Sequence, residues 1–313
     1  MTSVATRSRR AEPKAPASER PILVATAGEA ESRGALRVAA ALAAIGGAPV
    51  VALGVAAPFP HNLSARVMLR PPPAIDEQAR RDLHERIRDS LTEIPGSESW
   101  VVRAFTGTPA DLVHAAAAKW RARMIVLGTG RHTRLDRIFG SETAVAVMRN
   151  ARIPVLAVHT RATGLPARAV AAVDFTDASL SAAESAAQLL AADGTLFVTH
   201  VCAFGEAKAK PGDLIDIYRA GAQKRLDEAV AALRTRTTRR VDGVMLTGEA
   251  GSAIVAFARR ERCDLIALGG HPMGLLDRIL LGSIRTRVVR DASCSVLIAP
   301  PDRADASAQP TSG

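Results

Sequence analysis

Two glycine-rich loops with nearly the same sequence carry residues that could bind a phosphate group. They are GTGRHTRLDRIFGS (128–141) and GGHPMGLLDRILLGS (269–283). Each loop follows an apolar run and ends in Gly-Ser, directly before a predicted helix. Glycine lets the backbone pass close to an anion, and the free N–H groups of a helix N-terminus attract negative charge. In the second loop, Gly282 permits that approach and Ser283 adds a hydroxyl donor.

An acidic residue at a neighbouring strand end extends this prediction from phosphate to nucleotide. Asp174 follows AVAAV (169–173), a short apolar run typical of a buried parallel strand. Its carboxylate can accept a hydrogen bond from a ribose hydroxyl or an adenine amine. In open parallel sheets, ligands bind at carboxyl strand ends where the winding direction reverses. Turn formation and helix capping explain Gly282 and Ser283 as well, so both interpretations stay open.

The spacing of the remaining reactive side chains gives other kinds of site little support. Cys202, Cys263 and Cys294 form no CxxC pair, which argues against a disulfide framework or a zinc site. The histidines show no metal-ligand spacing, and the sequence has neither a Walker pattern nor a defensible catalytic triad. His132 and His271 lie in the two loops, where each could contact phosphate or remain exposed.

An internal repeat shows which elements position these residues. TGTPADLVHAAAAKWRARMIVLG (106–128) aligns with TGEAGSAIVAFARRERCDLIALG (247–269) without a gap, at a constant offset of 141 residues. Further upstream, PILVATAG (21–28) is aligned with AVAAVDFT (169–176). A repeat of this length indicates a duplicated domain.

The repeat divides the chain into unit one (residues 21–160) and unit two (residues 168–300), with HTRATGLPAR (159–168) between them. Residues 1–20 and 301–313 are poor in apolar groups and are predicted to be disordered tails. In unit one, the proline-rich residues 59–75 predict an irregular surface connection.

Strands and helices are predicted to alternate within each unit, from a first strand to a fifth. In unit two, the strands are predicted at 169–173, 195–201, 241–248, 264–270 and 295–300, and the helices at 177–192, 220–236, 252–262 and 285–292. Asp177 or Ser179 is expected to cap the first of these helices. This alternation predicts an α/β fold with two tandem, doubly wound, five-stranded parallel sheets.

The last strand of each unit is short and apolar, as IPVLAV (153–158) and CSVLIA (294–299) show. An open edge of this kind invites pairing. We therefore expect the two strands to pair within one chain, which makes an intramolecular pseudo-dimer. The chain is then a monomer or a homodimer in solution.

Composition limits the partners and the location. The net charge of +10 could attract nucleic acid, but the arginines are spread along helical stretches and aromatic residues make up only 3%. Nucleic-acid binding is therefore a minor hypothesis. No apolar stretch approaches the roughly 20 residues of a membrane span, and residues 1–20 do not resemble a signal peptide. We expect a cytoplasmic protein.

The two-unit layout, AVDFTDAS (172–179), the second glycine loop and the closing RDASCSVLIA (290–299) resemble the universal stress protein family in its tandem form. The resemblance covers nearly the whole chain apart from the tails. It implies an adenine-nucleotide alpha-hydrolase-like fold whose units pair through their last strands. In the ATP-binding branch, it places the following residues around ATP: Asp174, the Val201 backbone, Gly269, Gly282, Ser283 and Ile284.

The sequence departs from the family pattern in both units. Pro272 stands where the family has a second glycine, and proline removes a backbone donor, although Gly270 can relieve the local geometry. In unit one, Ala27 replaces the strand-end acid, and Gly140 comes one residue early. Unit two therefore keeps more of a nucleotide site than unit one, whose site is degenerate.

Three functions follow from these observations. The first is a stress-response protein that binds an adenine nucleotide in unit two and regulates an unknown protein partner. The second is an interaction module of the same fold that binds no nucleotide. Slow ATP hydrolysis ranks lowest, because the sequence offers no evident base or set of metal-binding carboxylates beyond Asp174.

Overall fold

The computed structural model describes residues 20–56, 73–129, 141–149, 151–202, 214–270 and 281–300. Unit one contains β1 (Ile22–Ala25), α1 (Arg33–Gly46), β2 (Val50–Ala56), α2 (Pro73–Leu91), β3 (Val101–Thr106), α3 (Pro109–Lys119), β4 (Met124–Gly128), α4 (Ser141–Arg149) and β5 (Val155–Val158). A single 3-10 turn, Ala30–Ser32, leads into α1.

Unit two repeats this order. It contains β6 (Arg168–Ala172), α5 (Asp177–Leu189), β7 (Thr195–Cys202), α6 (Leu214–Arg236), β8 (Arg240–Thr247), α7 (Ala250–Arg260), β9 (Leu265–Gly269), α8 (Leu281–Asp291) and β10 (Ser295–Ala299). Strands and helices alternate as the sequence predicts, and within the ranges given above each unit supplies five strands.

The ten strands found in the described residues all belong to one sheet, in the order β3-β2-β1-β4-β5-β10-β9-β6-β7-β8. Neighbouring strands within each unit are parallel, whereas β5 and β10 are antiparallel. Both the doubly wound fold and the pairing through the last strands are therefore confirmed. The two units form one continuous sheet, with β3 and β8 at its edges.

Helices cover both faces of the sheet, which explains why its central strands are apolar on both sides. On one face, the core includes Leu36 of α1, Ile87 of α2 and Leu226 of α6. On the other face, it includes Val147 of α4 and Val288 of α8. Parallel strands covered in this way read as continuous apolar runs, which is the pattern the sequence shows.

Several predicted boundaries are wrong by a few residues. Thr176, rather than Asp177 or Ser179, caps α5, because its side-chain oxygen accepts a hydrogen bond from the Ser179 N–H. The helix predicted at 220–236 already begins at Leu214, and the helix predicted at 285–292 begins at Leu281.

Part of one predicted irregular segment is helical in the structure. Residues 73–75 of the proline-rich connection belong to α2, because proline is compatible with the first turn of a helix. Residues 59–72 of that connection, and the predicted tails apart from Arg20, lie outside the described residues. None of the helices in the described ranges combines the length and the apolarity needed to cross a bilayer.

Candidate functional site

The carboxyl end of β6 lies where the winding of unit two reverses. The chain runs from β6 outward to β7 and β8 on one side, and β9 and β10 lie on the other side. Ala172 of β6 is in register with both Thr199 of β7 and Leu268 of β9. Two residues further along each of these three strands lie Asp174, Val201 and Gly270, all of them predicted site residues. By this count, Asp174 comes between the other two at the edge of the sheet.

Asp174 is exposed to solvent and closes a tight turn. Its Oδ1 accepts hydrogen bonds from the Thr176 N–H at 3.1 Å and the Thr176 hydroxyl at 2.5 Å. Its own N–H donates to Ser179 Oγ at 3.2 Å. Partial desolvation by itself raises the pKa of Asp174, but the hydrogen bonds from Thr176 and Ser179 outweigh it and lower the pKa below its usual value. The site therefore favours the ionised carboxylate.

Phe175 lies inside this turn in a conformation that few residues with side chains adopt. Its φ angle is +65°, in the left-handed region. That conformation costs roughly 1–2 kcal/mol. The ring stacks on His200 with centroids 4.6 Å apart, a kind of contact that contributes about 0.5–1.5 kcal/mol. The Arg225 guanidinium lies 4.4 Å from the ring centroid and adds about 0.5–1 kcal/mol, so the two contacts offset the backbone cost.

His200 is buried at the end of β7, with 8% of its surface exposed. Its Nδ1 lies 2.8 Å from the Val173 carbonyl oxygen, which can only accept, so Nδ1 carries the hydrogen. Within the described part of the chain, Nε2 is buried without a hydrogen-bond partner. Sequence reasoning missed Phe175, His200 and Arg225. The one available signal was an aromatic residue directly after the strand-end acid, in a chain that has few aromatic residues.

Gly269 and Gly270 have packing roles that the sequence did not reveal. A Cβ atom on Gly269 would lie 2.7 Å from the Ser179 backbone nitrogen, so the end of β9 contacts the first turn of α5 closely. A Cβ atom on Gly270 would lie 2.9 Å from Ile298 Cγ2, and the Gly270 N–H donates to the Ala299 carbonyl at 2.7 Å. Both glycines are required by packing, whether or not a phosphate approaches them.

The remaining predicted site residues lie on or before α8. Gly282 and Ser283 are in the first turn of this helix rather than before it. Ile284 is half-buried and packs against the apolar core. His271 lies outside the described residues, as does Pro272. The strand register thus puts Asp174, Val201, Gly269 and Gly270 at the same edge of the sheet, and Gly282 and Ser283 lie in the first turn of α8.

The strand register identifies the equivalent positions in unit one. Leu23 pairs with Ile125 as Val170 pairs with Ile266, so β1 and β6 correspond at an offset of 147 residues, as from Leu23 to Val170. Ala27 therefore corresponds to Asp174. The alignment of 21–28 with 169–176 in the sequence is wrong by one residue, because both segments are short apolar runs without a distinguishing side chain.

Unit one replaces both rings of the unit-two stack with glycine. By the same register, Gly28 corresponds to Phe175 and Gly54 to His200. A Cβ atom on Gly28 would lie 2.9 Å from the Arg86 backbone, and one on Gly54 would lie 2.5 Å from Ile87 Cδ1. Helix α2 therefore occupies the space that the two rings fill in unit two.

Comparison with known proteins gives the family. The model of the universal stress protein family matches residues 19–159 and 167–300. A universal stress protein from Methanocaldococcus jannaschii is 44% identical over 54 residues, which are 17% of this chain and 32% of that protein. One from Mycobacterium tuberculosis strain H37Rv is 26% identical over 135 residues, 41% of this chain and 92% of that protein.

Among solved structures, a universal stress protein from Archaeoglobus fulgidus has a TM-score of 0.57 at 18% identity, covering 92% of this chain and 98% of its own. This likeness supports the same fold over both units. Because the two family matches together cover most of the sequence, the chain belongs to the universal stress protein family.

Proposed function

We propose that this chain is a regulatory protein whose second unit binds an adenine nucleotide such as ATP. The observation that carries the proposal is the exposed, hydrogen-bonded Asp174 carboxylate at the reversal of the sheet, on the same strand-end edge as Val201 and Gly270. Both bonds from Thr176 go to Oδ1, and the exposed carboxylate can accept a further hydrogen bond from a ligand hydroxyl. A crevice of this kind is where open α/β sheets bind their ligands.

The nucleotide lies across the carboxyl edge of unit two in this proposal. Asp174 accepts a hydrogen bond from the ribose, and the backbone at Val201 contacts the edge of the adenine. The phosphates meet the N–H groups of the first turn of α8, which includes Gly282 and Ser283. Gly269, Gly270, His271 and Ile284 complete the surroundings of the ligand.

Unit one takes no nucleotide in this proposal. Ala27 is buried and cannot replace the carboxylate, and the backbone of α2 lies against the neighbouring Gly28. Nucleotide occupancy of unit two then changes the surface that a protein partner recognises. The protein acts in the cytoplasm as an intramolecular pseudo-dimer, either alone or as a homodimer.

A second candidate is an interaction module that binds no nucleotide. Gly269 favours it, because packing against α5 already requires a glycine there. Pro272 favours it as well, since proline offers no N–H to a phosphate.

Calorimetric titration of the full chain with ATP, ADP and AMP tests these alternatives. We expect one nucleotide per chain. Asp174→Ala should weaken binding about tenfold to a hundredfold, because a charge-assisted hydrogen bond is lost. Gly282→Val should abolish binding, because a branched side chain fills the space next to the phosphate. Asp177→Ala is the matched control, since Asp177 is an exposed acid three residues away in α5.

The outcomes of this titration distinguish the candidate functions. The absence of saturable binding at millimolar nucleotide contradicts the proposal and leaves the interaction module. Equal losses in Asp174→Ala and Asp177→Ala indicate a general disturbance at the start of α5 rather than the loss of a specific contact. Turnover of ATP by the wild type that disappears in Asp174→Ala would instead make the protein a slow ATPase.

A further inference from the structure

The turn at residues 174–176 depends on the backbone of its central residue. The Asp174 carboxylate reaches forward to both the N–H and the hydroxyl of Thr176. This closure occurs with Phe175 at a φ angle of +65°. The direction of the Asp174 carboxylate and the conformation of Phe175 are therefore linked.

Unit one contains the same backbone turn with the residue that suits it best. Gly28, at the position equivalent to Phe175, has a φ angle of +74°. Glycine adopts this region without steric cost, so unit one needs no side chain to maintain it. In unit two, the residue with this left-handed backbone is Phe175. Contacts of its side chain must therefore maintain the conformation.

Those contacts come from two other elements of unit two. His200, on β7, is fixed by its bond to the Val173 carbonyl and stacks on the Phe175 ring at an interplanar angle of 27°. Arg225, on α6, places its guanidinium over the same ring. The ring is therefore fixed by a buried strand residue and a helix residue, and it fixes the backbone to which it is attached.

We propose that Phe175 is a positioning residue of the nucleotide site, whose stacked ring maintains the left-handed turn that directs the Asp174 carboxylate. This inference rests on the proposed function only for its consequence, nucleotide affinity. The link between Phe175 and Asp174 is a property of the unliganded protein and can be measured without nucleotide.

Phe175→Ala and Phe175→Gly separate this role from simple packing. Both variants remove the ring, and glycine removes one atom more than alanine. Glycine nevertheless accepts the left-handed conformation freely, whereas alanine does not. A positioning role predicts that Phe175→Gly retains more of the Asp174 geometry than Phe175→Ala. A packing role predicts that the glycine variant is at least as impaired as the alanine variant.

The direct readout is the pKa of Asp174, followed by carbon-detected NMR of its carboxyl group. In the wild type it lies below the usual value. In Phe175→Ala it should rise towards the usual value as the bonds to Thr176 are lost, and in Phe175→Gly it should rise less. Arg225→Met, which removes the cation but keeps an extended side chain, should give a smaller rise than Phe175→Ala.

Phe257→Leu is the matched control. Phe257 also belongs to an aromatic pair of unit two, with Phe197, but it lies on α7, on the opposite face of the sheet from α6. This variant should leave the pKa of Asp174 unchanged. A shift equal to that of Phe175→Ala would mean that any loss of core packing moves Asp174, and the positioning role would then be wrong.

Nucleotide affinity is the second readout. If the wild type binds ATP, Phe175→Ala should weaken binding about tenfold, with recovery in Phe175→Gly. Failure of the wild type to bind, together with the expected order of pKa values, removes the proposed function but keeps the positioning role. Normal ATP binding with an unmoved Asp174 pKa in Phe175→Ala, or with glycine no better than alanine, overturns the inference and keeps the function.

Discussion

Leu156 of β5 lies directly opposite Leu297 of β10, at the centre of the antiparallel ladder that joins the two units. Both side chains are buried, and each ladder neighbour is apolar: Val155 pairs with Ile298 and Ala157 with Val296. The junction is therefore part of the continuous core rather than a polar interface between domains.

Replacement of either leucine at this junction should destabilise the whole chain. Leu297→Ala is expected to lower the free energy of unfolding by about 2–5 kcal/mol, because a buried leucine leaves a cavity. Leu214→Ala, at a side chain that is 85% exposed, is the control and should change it by about 0.5 kcal/mol or less. In the double variant Leu156→Ala/Leu297→Ala, the two effects should not add, because the residues are paired across the ladder. Strict additivity in urea unfolding would contradict the ladder described for β5 and β10.

Asp174 should make the stability of the protein depend on acid. Its pKa is lower in the folded chain than in the unfolded chain, so its contribution is complete above the unfolded value of about 3.9 and is lost as the pH falls through the folded value. The wild type should therefore melt at a higher temperature than Asp174→Asn at neutral pH, and the difference should shrink below about pH 4. Calorimetry of both proteins at several pH values measures this. A difference that stays constant, or grows in acid, would contradict the assigned role of the Thr176 hydrogen bonds.

His114 of α3 should give a second, separate pH dependence. Burial lowers its pKa, against the opposing influence of Asp111 and the backbone of Ala146 and Val147, and its Nε2 is buried without a partner in the described part of the chain. As the pH falls, this histidine is protonated at a higher pH in the unfolded chain than in the folded chain. The free energy of unfolding should therefore decline as the pH falls through about 6.5. His114→Val, which copies the equivalent residue of unit two, should reduce this decline in urea unfolding. Part of it should remain, because burial also lowers the pKa of His159. An unchanged decline would show that His114 is not its source.

Restoring the missing acid should not create a second nucleotide site. In Ala27→Asp, the new carboxylate replaces a side chain that is only 3% exposed and that packs in the apolar core covered by α3 and α4. The expected results are a lower melting temperature, because a buried charge without a partner is costly, and an unchanged stoichiometry of one ATP per chain. A titration that reaches two nucleotides per chain would mean that the missing acid alone prevents unit one from binding nucleotide.

Much of the fold could be predicted because it depends on patterns within short segments. The runs MIVLG (124–128) and LIALG (265–269) are apolar throughout, as strands covered on both faces must be, and the repeat shows that they are equivalent. The pairing of β5 with β10 followed from the need to cover two apolar edges.

The cap of α5 was less predictable, because Thr176, Asp177 and Ser179 are all good capping residues. Which of them caps the helix depends on where the chain turns, and that turn is set by the φ angle of Phe175. No property of the residue types indicates a left-handed phenylalanine. The residue types therefore predict the helix correctly but not its cap.

The contacts around Asp174 could not be predicted, because they join residues far apart in the chain. Phe175, His200 and Arg225 come from a loop, a strand and a helix, and they meet only once the sheet has formed. Gly269 has a packing role that residue types do not reveal, because the neighbour that requires a glycine there is the Ser179 backbone, which comes from a distant helix.

The antiparallel junction between β5 and β10 has a consequence for how the two units can diverge. Residues 159–167 connect them covalently, and a short tether holds its two ends at an effective concentration on the order of millimolar. Dilution therefore does not separate the halves, and neither half has to recognise a copy made elsewhere. A family member built from two identical chains would apply every substitution to both halves at once. In this chain, a substitution in one unit leaves the other unit unchanged. Unit one can therefore keep Gly28 and Gly54 while unit two keeps Phe175 and His200, and each molecule contains one half of each kind.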